Sequence, residues 1–393
     1  MFGPSRLLTS VALLTSVVLH AGCYSSPSPR HLDAITLEQL GERLKTETKR
    51  APGVVFGAVW RDGTIVIRAA GAADLRSGGK MEPETPFALY SVTKLFTATA
   101  VMQLSERGRI KLDAPVSQYL PDVRLRRDGQ EATVRDLLTH MSGLPNPLPV
   151  RWVHVAGEAG PTLDEMIRRK IGAEPRLHSV PGTKCAYSNL GYLLLGKIVE
   201  RASGMPYTTY VESNVLAPLG CPEAGFAVPA DRATGYQRKW SLIGLLSRFL
   251  FDKRFIAGSI DGYWEIRPIT VDGAPYGGLN GPVSCLLEMA SMMMHDGMGR
   301  NGRVLSAASV REMLEPSQTR DGRTMGIGLG WYIDSIDGER FAVHEGGGGG
   351  WRSELRVYPD RGYAVAVLRN ATWFDTDGLA RVVILDPPRQ PGH

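Results

Sequence analysis

A serine and a lysine three residues apart stand where this chain leaves an apolar patch, Pro86-Phe87-Ala88-Leu89-Tyr90, for the run Leu95-Phe96-Thr97-Ala98-Thr99-Ala100-Val101-Met102-Gln103-Leu104. That run has the composition of a buried helix. Ser91 at its first turn and Lys94 one turn on share a face. The helix N-terminus favours negative charge developing at the hydroxyl. A lysine held on an apolar helix has its pKa lowered, because desolvation disfavours the ammonium. The pair reads as a serine nucleophile beside its base. The bland alternative is an N-cap serine with a solvated lysine. A second copy of the spacing, Ser77-Gly78-Gly79-Lys80, lies in a Gly-rich stretch between polar segments and reads as a turn.

The chain has 393 residues, 43% of them hydrophobic, which suits a globular enzyme. Its 45 basic and 40 acidic residues are spread along the chain, so the net charge of +5 implies no nucleic-acid partner. Residues 1–23 read as an export signal: Arg6, an apolar core from Leu7 to Leu19 too short to span a bilayer, then His20-Ala21-Gly22-Cys23. Ala-Gly-Cys after such a core resembles a bacterial lipoprotein cleavage box, with His20 where Leu is usual. This implies lipidation of Cys23, a lipid anchor to the membrane and a place in the bacterial cell envelope. Residues 24–36 form a linker rich in Ser and Pro at its start, and the folded domain is expected over 37–393. Cys185, Cys221 and Cys285 are far apart and odd in number, so no disulfide framework is implied, although one pair could form in an oxidising compartment. No Cys/His spacing suits zinc.

Strand-type text gathers at both ends. Val54 to Trp60 and Thr64 to Ala70 flank a hairpin signal, Arg61-Asp62-Gly63. Gly326–Ile333, Phe341–His344, Trp351–Tyr358 and Tyr363–Leu368 return near the end, the last two around the turn Pro359-Asp360-Arg361-Gly362. Leu37 to Thr48 carries helical spacing. The middle, from Leu112 to about Thr319, reads as helix and loop, with helices expected at Thr133–Thr139, Thr162–Ile171, Tyr192–Ala202, Tyr207–Val215 and Cys285–Met294, and a last one near Asp375. The fold class is therefore α+β: one antiparallel sheet from the N- and C-terminal segments (37–82 and 320–393), a mainly helical lobe from 83–319, and a cleft between them.

Two further motifs bear on Ser91. Tyr187 and Asn189, two apart after the Pro181-Gly182 turn, can point the same way; a phenol relays protons and a carboxamide bonds a carbonyl. Alone they also read as a core aromatic and an N-cap. His344-Glu345-Gly346 opens a Gly run to Gly350 before a strand, offering unhindered N–H groups for an oxyanion, or simply a flexible turn. His295-Asp296-Gly297 looks similar but ends a Met-rich helix and reads as a cap.

In this order, Ser-x-x-Lys, Tyr-x-Asn and His-x-Gly resemble the serine β-lactamase and penicillin-binding-protein superfamily. The likeness is to its class C-like branch, which also holds family VIII carboxylesterases and D-alanyl-D-alanine peptidases. Asp136-Leu137-Leu138-Thr139-His140-Met141-Ser142-Gly143-Leu144-Pro145 and Gly328-Leu329-Gly330-Trp331 support it, and it runs from about Leu37 to about Asn370. The resemblance implies that Ser91 is acylated, Lys94 takes its proton, and Tyr187 serves as partner base and proton donor to the leaving group. It implies that Asn189 orients the substrate, that the N–H groups of Ser91 and Gly347, beside Gly346, form the oxyanion hole, and that His344 takes the place of the third-motif lysine. No cofactor and no metal is implied.

The departure from Lys-Thr-Gly is informative. A neutral imidazole binds an anion poorly, and an adjacent carboxylate repels one. The expectation is an esterase-like serine hydrolase acting on small ester or amide substrates. β-Lactamase or D-alanyl-D-alanine carboxypeptidase activity, on a peptidoglycan-like substrate, is the alternative. A non-catalytic cell-wall-binding protein would lack Ser91, Lys94 or Tyr187, and all three are present. No Gly-x-Ser-x-Gly occurs, which excludes an α/β-hydrolase. The apolar stretch Trp240 to Phe251 reads as a cleft wall or as an acyl-binding flap.

Overall fold

The computed structural model describes residues 31–147, 152–240, 252–372 and 376–388. The segment read as an export signal, with Cys23, and residues 241–251 of the apolar stretch lie outside the described residues; Trp240, at its start, is exposed.

Seven strands form the main sheet: β1 (Gly53–Trp60), β2 (Ile65–Asp74), β3 (Gly79–Lys80), β4 (Tyr332–Ile336), β5 (Glu339–Gly348), β6 (Trp351–Tyr358) and β7 (Tyr363–Arg369). They run in the order β4-β5-β6-β7-β1-β2-β3, antiparallel throughout. The two ends of the chain meet at the β7–β1 pair, as the strand-type text at both ends implies. Both central strands are buried on both faces, which is why they read as near-continuous apolar runs and not as alternating ones.

Four helices matter to the site: α1 (Leu37–Glu47), α2 (Thr93–Glu106), α3 (Asn189–Ser203) and α4 (Val283–Met294). On one face of the sheet Val54, Phe56 and Ala58 pack with Leu40 and Leu44 of α1; Val55 and Val59 join the larger core on the other face. There α4 lies against β1 at Gly57. A Cβ at Gly57 would stand 3.0 Å from Leu287 Cδ1 and from Val283 Cγ2, so the glycine sets how closely helix and sheet approach. Helix α2 is buried from Thr93 to Leu104.

Several expectations need correction. Strand β4 begins at Tyr332, so most of Gly326–Ile333 is not strand. Strand β5 continues past His344 to Gly348, because its ladder with β6 holds as far as Gly348–Trp351; the Gly run is mostly strand. The helical middle contains a three-stranded antiparallel sheet, Gly235–Arg238 with Ile256–Ile260 and Tyr263–Ile266, and the pair Val153–Val155 with Ile269–Val271. Within the expected linker, Asp33–Ile35 pairs in parallel with Val382–Ile384. The helix expected from Tyr192 starts at Asn189, capped by Ser188, and that expected over Tyr207–Val215 passes into a π-type turn at Glu212–Leu216. Near Asp375 the helix spans Asp377–Ala380. Thr133 and Thr162 are N-caps of the helices Val134–Leu138 and Leu163–Lys170. Cys185, Cys221 and Cys285 are buried and form no disulfide among the described residues.

Replacing Gly57 by Val should destabilise the protein by about 1–3 kcal/mol through overpacking against α4. A lowered urea midpoint is the measurement; an unchanged midpoint would mean that α4 moves away at no cost.

Candidate active site

Tyr90, Ser91 and Val92 form a single tight turn before α2. Tyr90 has φ of 44°, a left-handed backbone that costs a non-glycine residue about 1–3 kcal/mol and needs support from around it. The support is visible: its hydroxyl donates to the Gly349 carbonyl at 3.0 Å and its ring lies beside Trp351. Two glycines of β5 make the fit possible. A Cβ on Gly346 would lie 2.2 Å from the Leu89 carbonyl oxygen and 3.0 Å from the Ser91 nitrogen, and one on Gly348 would enter the Tyr90 ring. Ser353 Oγ, opposite Gly346 on β6, donates to the same Leu89 carbonyl at 2.7 Å. The nucleophile turn is thus clamped to the sheet through positions where only hydrogen fits.

Lys94 is fully buried, with Nζ 3.2 Å from Ser91 Oγ. Nζ also contacts Asn189 Oδ1 at 2.8 Å and the Tyr276 carbonyl at 2.8 Å. Burial pushes its pKa well below the usual lysine range. The rings of Tyr187, Tyr192 and Tyr276 lie 4.8–5.4 Å from Nζ. Ring faces favour a cation by about 0.5–2 kcal/mol, against several kcal/mol for removing an ammonium from water, so desolvation wins. The three contacts also leave room for an amine in its uncharged form. In that form its two N–H bonds would go to Asn189 Oδ1 and Tyr276 O, leaving its lone pair for the Ser91 hydroxyl proton.

Tyr187 Oη donates to Ser91 Oγ at 2.7 Å. Desolvation raises its pKa far above the ordinary phenol value, so it is protonated at rest. Asn189 is the first residue of α3, one place inside the cap, and its backbone N–H donates to Asn146 Oδ1 at 3.1 Å. With Oδ1 committed to Lys94, the amide NH2 is its remaining polar end.

His344 is buried behind the site, not on the cleft surface. Its Nδ1 meets the Glu345 carbonyl at 2.9 Å, and burial with the nearby Lys94 lowers its pKa to about 3. Gly347 is exposed, and beside it Arg352 forms an ion pair with Glu345. Ser91, Lys94, Tyr187, Asn189 and Gly346 therefore meet in one place, with His344 and Gly347 next to Gly346 along β5. The look-alikes do not join them: Ser77 Oγ donates to Asp74 in its turn, and His295 caps α4 and reaches the Arg61 carbonyl.

Two members escaped the sequence reading. Tyr276 contributes a backbone carbonyl, for which no side-chain signal exists. His140, quoted above without a role, has φ of 56° and accepts from the Ser188 N–H at Nδ1. Its ring stands 4.6 Å from that of Tyr187, which it holds in place. Burial holds its pKa well below the ordinary imidazole value. Among the described residues, no group of three or more His, Cys, Asp or Glu is gathered as a metal site.

A serine, a desolvated lysine and a tyrosine converging at the edge of a mixed α/β fold define a serine hydrolase site of the β-lactamase kind. The β-lactamase family model matches residues 36–384, and the chain belongs to that family. It is 29% identical to penicillin-binding protein 4 of Amycolatopsis lactamdurans over 89% of this chain and 92% of that protein. It is 40% identical to esterase EstB of Burkholderia gladioli over half of each chain. Among solved structures, the octameric penicillin-binding protein homologue from Pyrococcus abyssi superposes with a TM-score of 0.70 at 26% identity, covering 88% of this chain and 75% of that one. The protein is a serine hydrolase with the β-lactamase fold.

The two buried histidines make stability depend on pH. An unfolded chain binds protons below about pH 6.5, whereas native His344 binds none until about pH 3. Stability should therefore fall as pH drops through that window, by about 2 kcal/mol at pH 5 for His344 alone. Urea unfolding at pH 7 and pH 5 checks this, and His344→Gln should shrink the difference; an equal difference in the variant would refute it.

Proposed function

We propose that this protein cleaves uncharged esters, and secondarily amides, through an acyl-enzyme on Ser91. The observation that carries the reading is the buried Lys94 amine, its pKa pushed well below the ordinary lysine value, 3.2 Å from a hydroxyl that accepts from Tyr187 at 2.7 Å. Ser91 Oγ attacks the carbonyl carbon while its proton passes to Lys94 Nζ. The Tyr187 phenol, protonated at rest, gives its proton to the leaving oxygen or nitrogen and regains one from the ammonium formed on Lys94, whose Nζ lies 4.8 Å from its ring. The N–H groups of Ser91 and Gly347 take the negative charge that develops on the carbonyl oxygen. Asn189 presents its NH2 to the acyl side. Water then repeats the sequence on the acyl-enzyme.

An ester is favoured because the third motif brings no available cation to the cleft. His344 is buried and uncharged, and the Arg352 guanidinium is already paired with Glu345. This revises the reason for the preference: Glu345 is not a bare repelling carboxylate but half of an ion pair. A family relative that is an esterase supports the same reading. A peptidase or β-lactamase reading has one observation in its favour. Strand β4 pairs with β5 only as far as Val343, so residues 344–348 keep an open edge, among the described residues, on which an extended acyl-peptide could lie. Export to the cell envelope, with a lipid anchor at Cys23, and an acyl-binding role for residues 240–251 belong to the proposal on sequence grounds alone.

The test is kcat/KM for p-nitrophenyl butyrate and for nitrocefin, with Ser91→Ala as control. Ester turnover should dominate and fall by about 10³-fold or more in the variant; comparable turnover of both substrates would overturn the ester preference. With a lysine base whose pKa is depressed, ester kcat/KM should rise as pH climbs through that lowered value and hold a plateau beyond neutrality. A profile still rising at the ordinary lysine pKa would mean that Lys94 is charged at rest.

A further inference from the structure

Strand β5 shows two faces at the cleft. His344, Gly346 and Gly348 turn toward the nucleophile, since a Cβ on Gly346 would meet Leu89 and one on Gly348 would meet Tyr90. Glu345 and Gly347 turn the other way. On β6, Arg352 stands opposite Gly347, and a Cβ there would lie 3.0 Å from Arg352 Nη1. The guanidinium thus lies over the exposed glycine at the substrate edge, where Nη2 donates to Glu345 Oε2 on the diagonal. Both side chains keep nearly a third of their surface, 29% and 27%. A pair so exposed contributes little to stability, so its position asks for another explanation. A planar guanidinium is the side chain best shaped to receive a carboxylate, and here that capacity is taken by the protein's own carboxylate.

We propose that the Glu345–Arg352 pair is a specificity gate: it occupies the guanidinium at the substrate edge, so uncharged acyl groups are accepted and carboxylate-bearing ones refused. A substrate carboxylate would have to displace Glu345 from the guanidinium and sit beside its charge, a repulsive element as well as a lost attraction. The proposal rests on the hydrolase reading above and names its acyl class.

The experiment compares p-nitrophenyl pentanoate with p-nitrophenyl hydrogen glutarate, of equal carbon count, in wild type, Glu345→Gln, Arg352→Gln and the double variant. The readout is the glutarate-to-pentanoate ratio of kcat/KM, from which a general loss of activity cancels. Glu345→Gln frees the guanidinium and should raise the ratio about fivefold or more. Arg352→Gln should lower it or leave it, and the double variant should return it to the wild-type value. A ratio in Glu345→Gln within about twofold of wild type, or an equal rise in the double variant, overturns the gate. Pentanoate turnover that persists with an unmoved ratio removes the gate alone. Turnover that is absent, or that survives Ser91→Ala, removes the hydrolase reading and the gate with it.

Discussion

The site depends on keeping one amine out of water. Lys94 is sealed by α2, α3 and the Tyr276 segment, and its only polar neighbours named here are a carbonyl, a carboxamide oxygen and the nucleophile. A carboxylate in either acceptor position would bring back the ammonium, since an opposite charge at such range favours the charged form. Neutral acceptors orient the amine without charging it. This explains why α2 is buried on every side: a helix with one wet face could not hold the base in its working state.

A second constraint is geometric and falls on backbone. The nucleophile turn touches β5 at a separation that excludes a Cβ at Gly346 and Gly348, and the left-handed Tyr90 is held by contacts from that same strand. Sheet and helical lobe are thereby locked at the point where the oxyanion would form. A shift of about 1 Å in such an arrangement is enough to lose most of a positioning effect. The glycines serve close approach, and because most of them lie in a regular ladder, the run is stiffer than its composition suggests.

What could be read from the sequence follows the physics of each element. Helix α2 and the β7–β1 pair were legible because burial on all sides leaves unbroken apolar text. Ser91, Lys94, Tyr187 and Asn189 were legible as candidates from their side chains, and their shared roles only from the resemblance that the ordered motifs carry together. Tyr276 was not, because a carbonyl belongs to every residue. The Gly235–Arg238 strand and its partners were not, because Gly-Tyr-Gln-Arg carries no alternation and its pairing is set by residues far along the chain. The Glu345–Arg352 pair follows from the β5–β6 register, which no local pattern announces.

The exchange of a third-motif lysine for His344 also bears on Lys94. A second ammonium within range of Nζ would lower the lysine pKa by repulsion and supply a cation to an anionic substrate at once. In this chain the lowering comes from burial, and the neighbouring group that might have been charged is itself held neutral, with His140 on the far side of Tyr187 held neutral as well. Burial thus disfavours the charged form of each base around Ser91 Oγ. An oxyanion formed there would be met by backbone N–H groups, whose strength in a dry site needs no counter-ion. On β5 and β6 the charged pair at the rim is Glu345 and Arg352. Binding of a charged acyl group is thereby separated from the chemistry at Ser91, so acyl selectivity can change at the rim without altering the base.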